Sequence, residues 1–598
     1  MHMQPLFSGA PGAFRFDGML QSATIPLVLA SGLLCATSSA TAADLRFTEC
    51  AAAAGITVVP DRPNVVQGCY AGGAVGDFNR DGWPDVYIPP GGFEPDKLYI
   101  NNRDGTFTDQ AAAWRVDASH LGVSAAVGDF NNDGWLDVFV VSRGEIGNER
   151  AGAHKLYRNN GDGTMTDVAD SAGVRFSSPQ IPDGFGAAFG DYDLDGDLDL
   201  AVAGWYVNSG GNRLFRNNGN ETFTDVTATA ILADMTPVRG FSPRFADMDG
   251  DGWPELLWVA DFRTSRYLVN NHDGTFSDRT LESGVGLERN GMGQTIGDFD
   301  NDGRLDWYVT SIMQPFGPIG QPNGNMLYMN RGAHSYDEVA EAAGVQDGGW
   351  GWGTVAADFD HNGWQDLVEV NGWYTIEWAA DRAYVFRNAG GLHFDEVAPQ
   401  VGIEHSGQER GLLNFDFDND GDQDLLLFAF QEPVRLYRND LPPGAGAWLH
   451  VTLNTRDRPG VAPDGFGACV RARCGETRYL RVIDGGCNYL AQSEASAHFG
   501  LAAAPRLDEL RVDWSDGTAT VLRDVAPNQR LEIRAPVLGD LDRDRDVDLA
   551  DLSALLTALD QCDGQPAYDP AADIDGSGCV DLSDLMRQLG NFGAAPTP

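Results

Sequence analysis

The sequence is poor in basic residues, and this shortage limits its partners. Its 598 residues include 41 lysines and arginines against 87 aspartates and glutamates, a formal net charge of -46 at pH 7. Nucleic acids and anionic membranes are bound largely through basic side chains that replace counterions. The composition therefore argues against both kinds of partner.

Long apolar runs are also missing after the first forty residues. One apolar stretch, residues 25–39, is followed by Ala40-Thr41-Ala42, a small-residue cleavage signal. No later segment approaches the roughly 20 apolar residues that span a bilayer. We therefore predict a signal peptide over residues 1–42, with Met19 as an alternative start, and a secreted or cell-surface protein without a transmembrane segment.

Cysteine is scarce, with eight residues in the chain, and none of the usual zinc spacings occurs. Disulfides persist outside the cytosol, so the near pairs Cys50 with Cys69 and Cys562 with Cys579 are predicted to be bonded. Three further cysteines leave one odd thiol and an open connectivity: Cys469, Cys474 and Cys487.

Familiar catalytic signatures are missing as well. The sequence has no G-x-S-x-G elbow, H-E-x-x-H helix, P-loop or dinucleotide fingerprint. His498 could act as a base, but a lone histidine beside Phe499 is more often structural. We assign no catalytic residue and no organic cofactor.

What the chain has in abundance is one acidic loop, D-x-[DN]-x-[DN]-G-x-x-[DE], repeated seven times and numbered here loop 1 to loop 7. Oxygens at positions 1, 3, 5 and 9 and the main-chain carbonyl of position 7 suit Ca²⁺, which takes six to eight oxygen ligands. We therefore predict seven calcium sites. Their candidate ligands are Asp77, Asn79, Asp81, Trp83 and Asp85; Asp129, Asn131, Asp133, Trp135 and Asp137; Asp191, Asp193, Asp195, Asp197 and Asp199; Asp247, Asp249, Asp251, Trp253 and Glu255; Asp298, Asp300, Asp302, Arg304 and Asp306; Asp358, Asp360, Asn362, Trp364 and Asp366; Asp416, Asp418, Asp420, Asp422 and Asp424.

The spacing of the loops predicts a repeat architecture. Their first aspartates lie 52, 62, 56, 51, 60 and 58 residues apart, and each loop is flanked by β-rich runs. A second hairpin follows in each repeat, which makes four strands, except that repeat 7 stops near residue 440 without its last strand. Residues 46–56 match that missing strand, so we expect the N-terminus to close a seven-bladed β-propeller over residues 44–440. A linear solenoid is the alternative.

Aromatic residues recur inside the loops. Position 2 is aromatic in six of the loops, and these residues are predicted to pack between blades. A sugar-stacking stripe is the alternative. The tryptophans at position 7 are ambiguous, because exposed tryptophans would favour glycan binding. The aromatic residues at position 2 are Phe78, Phe130, Tyr192, Phe299, Phe359 and Phe417.

Together, the loops and the hairpins of the type "LYRNNGDGTFTDV" resemble FG-GAP and VCBS repeats, the units of integrin α-type propellers. The resemblance implies that the loops hold calcium and brace each hairpin. Glu255 replaces the last aspartate of loop 4, and Asn362 replaces the aspartate at position 5 of loop 6. Both sites are expected to bind the ion differently.

A second, β-rich domain is predicted over residues 446–534. Its order of motifs, with Gly465-Phe466-Gly467-Ala468, residues 496–501 and residues 510–518, is similar to the ASPIC and UnbV domain that follows the propeller in cartilage acidic protein-like proteins. This resemblance implies an architecture but no particular chemistry.

Residues 538–593 contain two twelve-residue acidic loops, each followed by an apolar helix. The duplicated pattern resembles a dockerin type I module, which implies up to two further calcium sites and a cohesin-like or cell-surface partner. Arg545 stands where glycine normally makes the turn. The candidate ligands are Asp540, Asp542, Asp544, Asp546, Asp548 and Asp551, and Asp573, Asp575, Ser577, Cys579, Asp581 and Asp584.

The sequence thus predicts a mainly β protein with a small α-helical calcium-loop pair at its C-terminal end. We expect an exported calcium-binding protein that acts in extracellular binding or adhesion, with a glycan or protein ligand and with structural calcium. The alternatives are a polysaccharide-degrading hydrolase or lyase that carries the dockerin-like module, and a purely structural surface component.

Overall fold

The computed structural model describes residues 45–61, 68, 70–92, 94–143, 154–175, 183–207, 209–314, 322–375, 378–542, 546–569, 571–574 and 577–593. Four predictions lie outside these residues: the signal peptide, Cys69, and the loop ligands Asp544 and Asp575.

Seven sheets, each with four antiparallel strands, carry the acidic loops and fit a β-propeller. The sheet of repeat 1 has a fifth strand, Ala491–Gln492, which pairs parallel with Gly73–Gly76. The loop joins the first strand of each repeat to the second. The first strands are Gly73–Gly76, Gly122–Gly128, Ala187–Gly190, Arg239–Ala246, Gln294–Gly297, Gly351–Ala357 and Glu409–Phe415. The second strands are Asp85–Ile88, Asp137–Ser142, Asp199–Val202, Glu255–Asp261, Asp306–Val309, Asp366–Asn371 and Asp424–Ala429.

A second hairpin completes each repeat, and a helix of one turn follows the fourth strand in repeats 1 to 6. The third strands are Lys97–Asn101, Lys155–Asn159, Arg213–Asn217, Arg266–Asn270, Met326–Asn330, Tyr384–Asn388 and Arg435–Asn439. The fourth strands of repeats 1 to 6 are Phe107–Asp109, Met165–Asp167, Phe223–Asp225, Phe276–Asp278, Tyr336–Glu338 and Phe394–Glu396. The helices are Ala111–Trp114, Ala169–Ala172, Thr227–Ala230, Thr280–Ser283, Ala340–Ala343 and Ala398–Val401.

The N-terminal strand completes repeat 7, as the sequence predicts. Phe47–Glu49 pairs antiparallel with Arg435–Asn439, and Phe47 lies opposite Asn439. This pairing joins the two ends of the repeat region, which a linear array would hold apart.

The aromatic residues of loop position 2 pack between neighbouring repeats. All six are buried, and five contact the fourth-strand phenylalanine of the next sheet at centroid distances of 5.4–6.3 Å. Phe359 of repeat 6 meets Phe47, the residue that the N-terminal strand supplies to repeat 7. The predicted packing role is confirmed, and the sugar-stacking alternative is wrong for these residues.

The second domain consists of two sheets. Trp448–Asn454 lies between Ala497–Gly500 and Gln529–Arg534 in the first. The second sheet has the spatial order Thr477–Val482, Cys469–Cys474, Leu507–Asp513 and Ala519–Val525. A short 3-10 helix, Pro463–Gly465, and a two-residue strand, Ala491–Gln492, complete its elements. This domain packs on the side of the repeats that carries the loops, where Arg530 contacts Asp416 and His498 contacts the carbonyl of Gly421.

One segment of this second domain, residues 484–494, enters the space between the repeats and is called here the axis segment. It touches the first-strand region of every repeat. Ala491 and Gln492 pair with Gly73 and Ala74 of repeat 1. The contacts to repeats 2 to 7 are made with Val127, Phe189, Pro243, Gly293, Thr354 and Leu412.

Two helices, Leu549–Ala558 and Leu582–Gly590, lie in the C-terminal module where the sequence predicts them. Asp548 and Asp581 cap their N-termini, and each cap is reciprocated by a buried aspartate three residues later. The predicted disulfide between Cys562 and Cys579 is present and joins Gln561–Cys562 to Cys579–Val580.

The other described cysteines form no disulfide with one another. Cys50 is a free thiol, and Cys69, its predicted partner, lies outside the described residues. Cys469 and Cys487 are free and buried, and burial raises the pKa of the Cys469 thiol to about 12. Across the described ranges, no helix has the length and apolar character needed to cross a bilayer.

Candidate metal centres

All seven loops share one pattern of hydrogen bonds between their carboxylate or amide oxygens and their backbone N–H groups. The carboxylate at position 1 accepts the N–H groups of positions 5 and 6, at 2.9–3.2 Å and 2.5–3.1 Å. One oxygen of position 5 accepts the N–H of position 7. The glycine at position 6 makes this possible because its φ is positive, from 80° to 99°.

The carboxylate at position 9 ties the loop to its own sheet. One oxygen accepts the N–H of position 2, at 3.1 Å in six loops and 2.9 Å from Met248 to Glu255. In the six loops that end in aspartate, the other oxygen accepts the N–H of the asparagine that ends the third strand, at 2.7–2.8 Å. Asn362 keeps the position-5 hydrogen bond of loop 6 through its amide oxygen.

Those asparagines also connect the repeats, which the sequence analysis missed. Each donates its side-chain amide to the carbonyl of position 2 in the preceding loop, and we call this set the asparagine ring. The pairs, 2.6–3.0 Å apart, are Asn101 with Phe417, Asn159 with Phe78, Asn217 with Phe130, Asn270 with Tyr192, Asn330 with Met248, Asn388 with Phe299 and Asn439 with Phe359. Because Asn101 of repeat 1 bonds to loop 7, the series returns to its start.

Negative charge is costly inside the loops. Burial raises the pKa of the position-9 carboxyl in every loop well above its ordinary value. Burial also raises the pKa at position 1, to about 7 for Asp129 and Asp298 and to about 8 for Asp191. A cation among these carboxylates would offset that cost.

The donor set fits a hard cation. In at least four loops, three acidic residues place one carboxylate oxygen each within 4.8 Å of one another, and in loops 3 and 6 the position-9 carboxylate is one of them. Asp193 Oδ1 and Asp418 Oδ1, at position 3 of loops 3 and 7, are buried and have no hydrogen-bond partner in the part of the chain that the structure describes. Carboxylate oxygens in this state are the ligands that Ca²⁺ takes.

Several loops contact basic side chains that the motif does not show. Arg304 at position 7 bonds to Asp302 of its own loop, and Arg387 Nε lies 2.5 Å from Asp360 Oδ2. Arg530 of the second domain lies 2.8 Å from Asp416 Oδ2. The second domain therefore contacts the candidate ligand at position 1 of loop 7 directly.

The tryptophans at position 7 are partly buried and have partners nearby. The Arg80 guanidinium lies 3.8 Å from the ring centroid of Trp135, and Trp253 stacks on His272 at 4.9 Å. His498 is buried, and its Nε2 lies 3.0 Å from the Gly421 carbonyl. Burial lowers the pKa of His498 well below its usual range, which agrees with the structural role expected for it.

The C-terminal loops share part of this pattern. Asp573 accepts the N–H groups of Ser577 and Gly578 at 3.1 and 2.8 Å, as position 1 does in the repeats. In the other loop, Asp551 accepts the N–H groups of Leu541 and Asp542 at 2.6 and 3.1 Å. Further predicted ligands are also among the described residues: Asp540, Asp546, Asp548, Cys579, Asp581 and Asp584.

A second surface lies at the opposite ends of the strands from the loops and is called here the aromatic face. It consists of Tyr70, Trp205, Trp350, Trp373, Tyr374 and Trp378. Trp350 stacks on Trp373 at 5.1 Å, and the Arg410 guanidinium lies 4.4 Å from the Trp352 ring below them. These rings are partly exposed, and Tyr374 is 49% exposed.

Comparison with known families agrees with this architecture. The FG-GAP-like repeat family matches residues 70–140, 145–202, 191–258 and 247–309, which carry loops 1 to 5. The ASPIC and UnbV family matches residues 459–537. The chain therefore combines FG-GAP-like repeats with an ASPIC and UnbV domain.

Among individual proteins, the chain is similar to Cartilage acidic protein 1. It is 26% identical to the human protein over 455 residues, covering 70% of this chain and 63% of that one. For the mouse protein the values are 28% over 340 residues, 52% and 47%, so the chain spans about half to two thirds of these relatives. Chicken Integrin alpha-V is 26% identical over 208 residues, covering 31% and 19%.

The solved structures include a lectin of Agrocybe aegerita with specific recognition of non-reducing terminal N-acetylglucosamine. It is 17% identical, its TM-score is 0.37, and the match covers 66% of this chain and 93% of that chain. Because the TM-score is below 0.5, this match supports no conclusion about the fold or the function of the chain.

Proposed function

We propose that the protein is an exported binding or adhesion protein whose seven-bladed β-propeller is stabilised by calcium. The observation that carries this proposal is the asparagine ring, which links seven equivalent loops in one closed series. The FG-GAP-like repeats and the partial similarity to an integrin α chain support an extracellular binding role.

In this proposal each four-stranded sheet is one blade, and Phe47–Glu49 completes the seventh. Closure pairs the strand edges that an open array would expose to other chains. The closed ring then offers a rigid, broad surface. Such a surface is better suited to binding a partner than to catalysis in a deep cleft.

Calcium in the seven loops would be structural. Extracellular calcium modules have dissociation constants of about 10⁻⁴ to 10⁻³ M. With the free ion at ten times that constant, each site would add about 1.4 kcal/mol, and seven independent sites about 10. That sum is comparable to the roughly 5–15 kcal/mol stability of a whole domain.

Calcium titration of the unfolding midpoint tests this role. The midpoint should fall on chelation and recover with Ca²⁺, and Asp193→Asn and Asp418→Asn should weaken the calcium response. Asp104→Asn, in an exposed hairpin turn outside the loops, is the matched control. A midpoint that does not change on chelation would contradict the structural role of calcium.

The ligand is proposed to bind the aromatic face. The second domain packs on the loop side of the repeats. The rings of Trp350, Trp373 and Tyr374 lie on the other side, where this domain leaves them partly exposed. Tryptophan and tyrosine supply large contact areas at little entropic cost and suit both glycan and protein ligands.

Binding to a glycan array and to a panel of immobilised extracellular matrix proteins tests this surface. Tyr374→Ala should weaken binding, and Phe592→Ala, an exposed aromatic residue of the C-terminal module, should not. Equal binding by both variants would refute the aromatic face as the ligand surface. Signal on glycans alone, or on proteins alone, would identify the ligand class.

The C-terminal module is proposed to be a dockerin-like calcium module with a cohesin-like or cell-surface partner. Its support is the pair of capped helices, the acidic loops before them and the disulfide between Cys562 and Cys579. Pull-down of a purified type I cohesin with and without calcium tests this partner. A stability gain from calcium without cohesin binding would leave the module as a structural clip.

A further inference from the structure

Two departures from the repeat pattern meet at loop 4. Glu255 is the one glutamate at position 9 of the seven loops. The second departure is His334, in the hairpin of repeat 5, which lies next to loop 4 because Asn330 of that hairpin bonds to Met248. His334 Nε2 is 3.1 Å from Asp249 Oδ2.

His334 lies at a turn position that six hairpins share and that three of them fill with glycine. Counted from the asparagine that ends the third strand, Gly105, Gly163 and Gly274 stand at this place in repeats 1, 2 and 4, with φ of 80° or 81°. Glu221 and Leu392 stand there in repeats 3 and 6, with φ of 62° and 57°. His334 adopts φ 56° there. Positive φ favours glycine, and of the residues that adopt it at this place His334 alone carries an imidazole.

The other ring nitrogen of His334 is held by a tyrosine pair. His334 Nδ1 lies 3.0 Å from the Tyr267 hydroxyl, which lies 3.1 Å from the Tyr336 hydroxyl. An Nδ1–H that donates to Tyr267 leaves the Nε2 lone pair directed at loop 4. Histidines that ligate metals are commonly oriented in this way, by a hydrogen bond from the nitrogen that does not touch the metal.

We propose that loop 4 and His334 together form a site for a first-row transition-metal ion of the Zn²⁺ class. One ligand atom each from Asp249, Glu255 and His334 lies within 4.8 Å of the other two. Ca²⁺ and Mg²⁺ prefer oxygen ligands, whereas imidazole nitrogen with carboxylates suits Zn²⁺ and its neighbours. At loop 4 this ion would replace the Ca²⁺ proposed above, and the other six loops would keep Ca²⁺.

A second histidine lies at the outer side of the same loop. His272 Nε2 is 2.8 Å from Asp251 Oδ2, and its ring stacks on Trp253. Its side chain is 46% exposed, and so we assign the ligand role to the more buried His334, at 15%.

Metal binding to the full chain in excess Ca²⁺ tests the site. Titration calorimetry with Zn²⁺ should give one tight site, and Co²⁺ should give visible absorption bands of nitrogen and oxygen coordination. His334→Ala should abolish both signals. Tyr267→Phe, which removes only the hydroxyl that orients the ring, should weaken Zn²⁺ binding about 10- to 100-fold.

The matched control is His393→Ala, because His393 lies in an exposed hairpin, where its Nε2 is 3.4 Å from the exposed Asp395. This variant should bind Zn²⁺ as the native chain does. Zinc binding that survives His334→Ala, or no zinc binding in excess Ca²⁺, would overturn the proposal and leave His334 and Asp249 as an ion pair. The calcium response of the unfolding midpoint, measured on the same variants, separates this outcome from a failure of calcium binding at the other loops.

Discussion

Replacing one asparagine of the ring should loosen the contact between two neighbouring repeats. Asn217 is buried at the end of the third strand of repeat 3. Its side-chain amide donates to the carbonyls of Phe130 in repeat 2 and Leu198 in its own loop, at 2.8 and 3.1 Å. Asn217→Ala removes this donor group and also the side-chain oxygen that accepts the Gly219 N–H at 3.2 Å. It leaves the backbone hydrogen bond from Asn217 N–H to Asp199 in place.

The cost follows from the two carbonyls left without a donor. Each buried polar group without a partner costs about 1–3 kcal/mol, so Asn217→Ala should lower the free energy of unfolding by about 2–6 kcal/mol. The neighbouring Asn218 is exposed and bonds to the Thr222 hydroxyl, so Asn218→Ala should cost less than about 0.5 kcal/mol.

Urea unfolding followed by tryptophan fluorescence, at saturating Ca²⁺, measures both variants under one condition. A shift for Asn217→Ala as small as that for Asn218→Ala would refute the reasoning. The ring would then be a geometric coincidence of the repeats and would not hold them together.

Three further predictions concern the N-terminal strand, a half-buried histidine and the C-terminal module. Phe47→Ala should cost about 3–5 kcal/mol in urea unfolding, because Phe47 is buried in the strand that completes repeat 7; a cost below about 1 kcal/mol would contradict that role. Burial alone would lower the pKa of His405, but the hydrogen bond and charge of Glu409 outweigh it and hold that pKa above its ordinary value. Its contribution should therefore be complete below about pH 6.5 and lost as pH rises through the folded-state pKa, so His405→Asn should destabilise more at pH 6 than at pH 9, and a constant difference would be contrary evidence. Reduction of the Cys562–Cys579 disulfide, which closes a span of 17 residues, should destabilise the C-terminal module by about 3 kcal/mol and leave the repeats unchanged; proteolysis of the reduced chain checks both statements.

Much of the fold could be predicted because it depends on short sequence patterns. Each loop contains the glycine that makes its turn and the alternating residues that supply its oxygens. Each strand contains the apolar residues that bury it. The match of residues 46–56 to a fourth strand was enough to predict the pairing of Phe47 with repeat 7. The two C-terminal helices were predicted as the apolar segments that follow the acidic loops, and the structure has a helix at each place.

Contacts between repeats were harder to predict. An asparagine ends every third strand in the sequence, but its acceptor lies in the preceding repeat, and that neighbour depends on how the sheets are arranged around the ring. His334 was visible as a residue that replaces glycine in a turn, yet only the packing of repeat 5 on loop 4 gives it a partner. The axis segment has no repeat pattern, and so its partners could not be inferred from local residues.

The axis segment also sets the order in which the chain can fold. Gln492 bonds to Val127, 365 positions earlier, and Asn488 to Leu412, 76 positions earlier. The ribosome makes all seven repeats before it makes the axis segment. Contacts between residues so far apart in sequence form slowly. Until residue 494 is available, the inner strands of early repeats lack a hydrogen-bonding partner and are open to association with other chains. The first repeats to be made thus depend on nearly the whole chain for their final structure, and a chain halted soon after residue 440 should aggregate rather than fold.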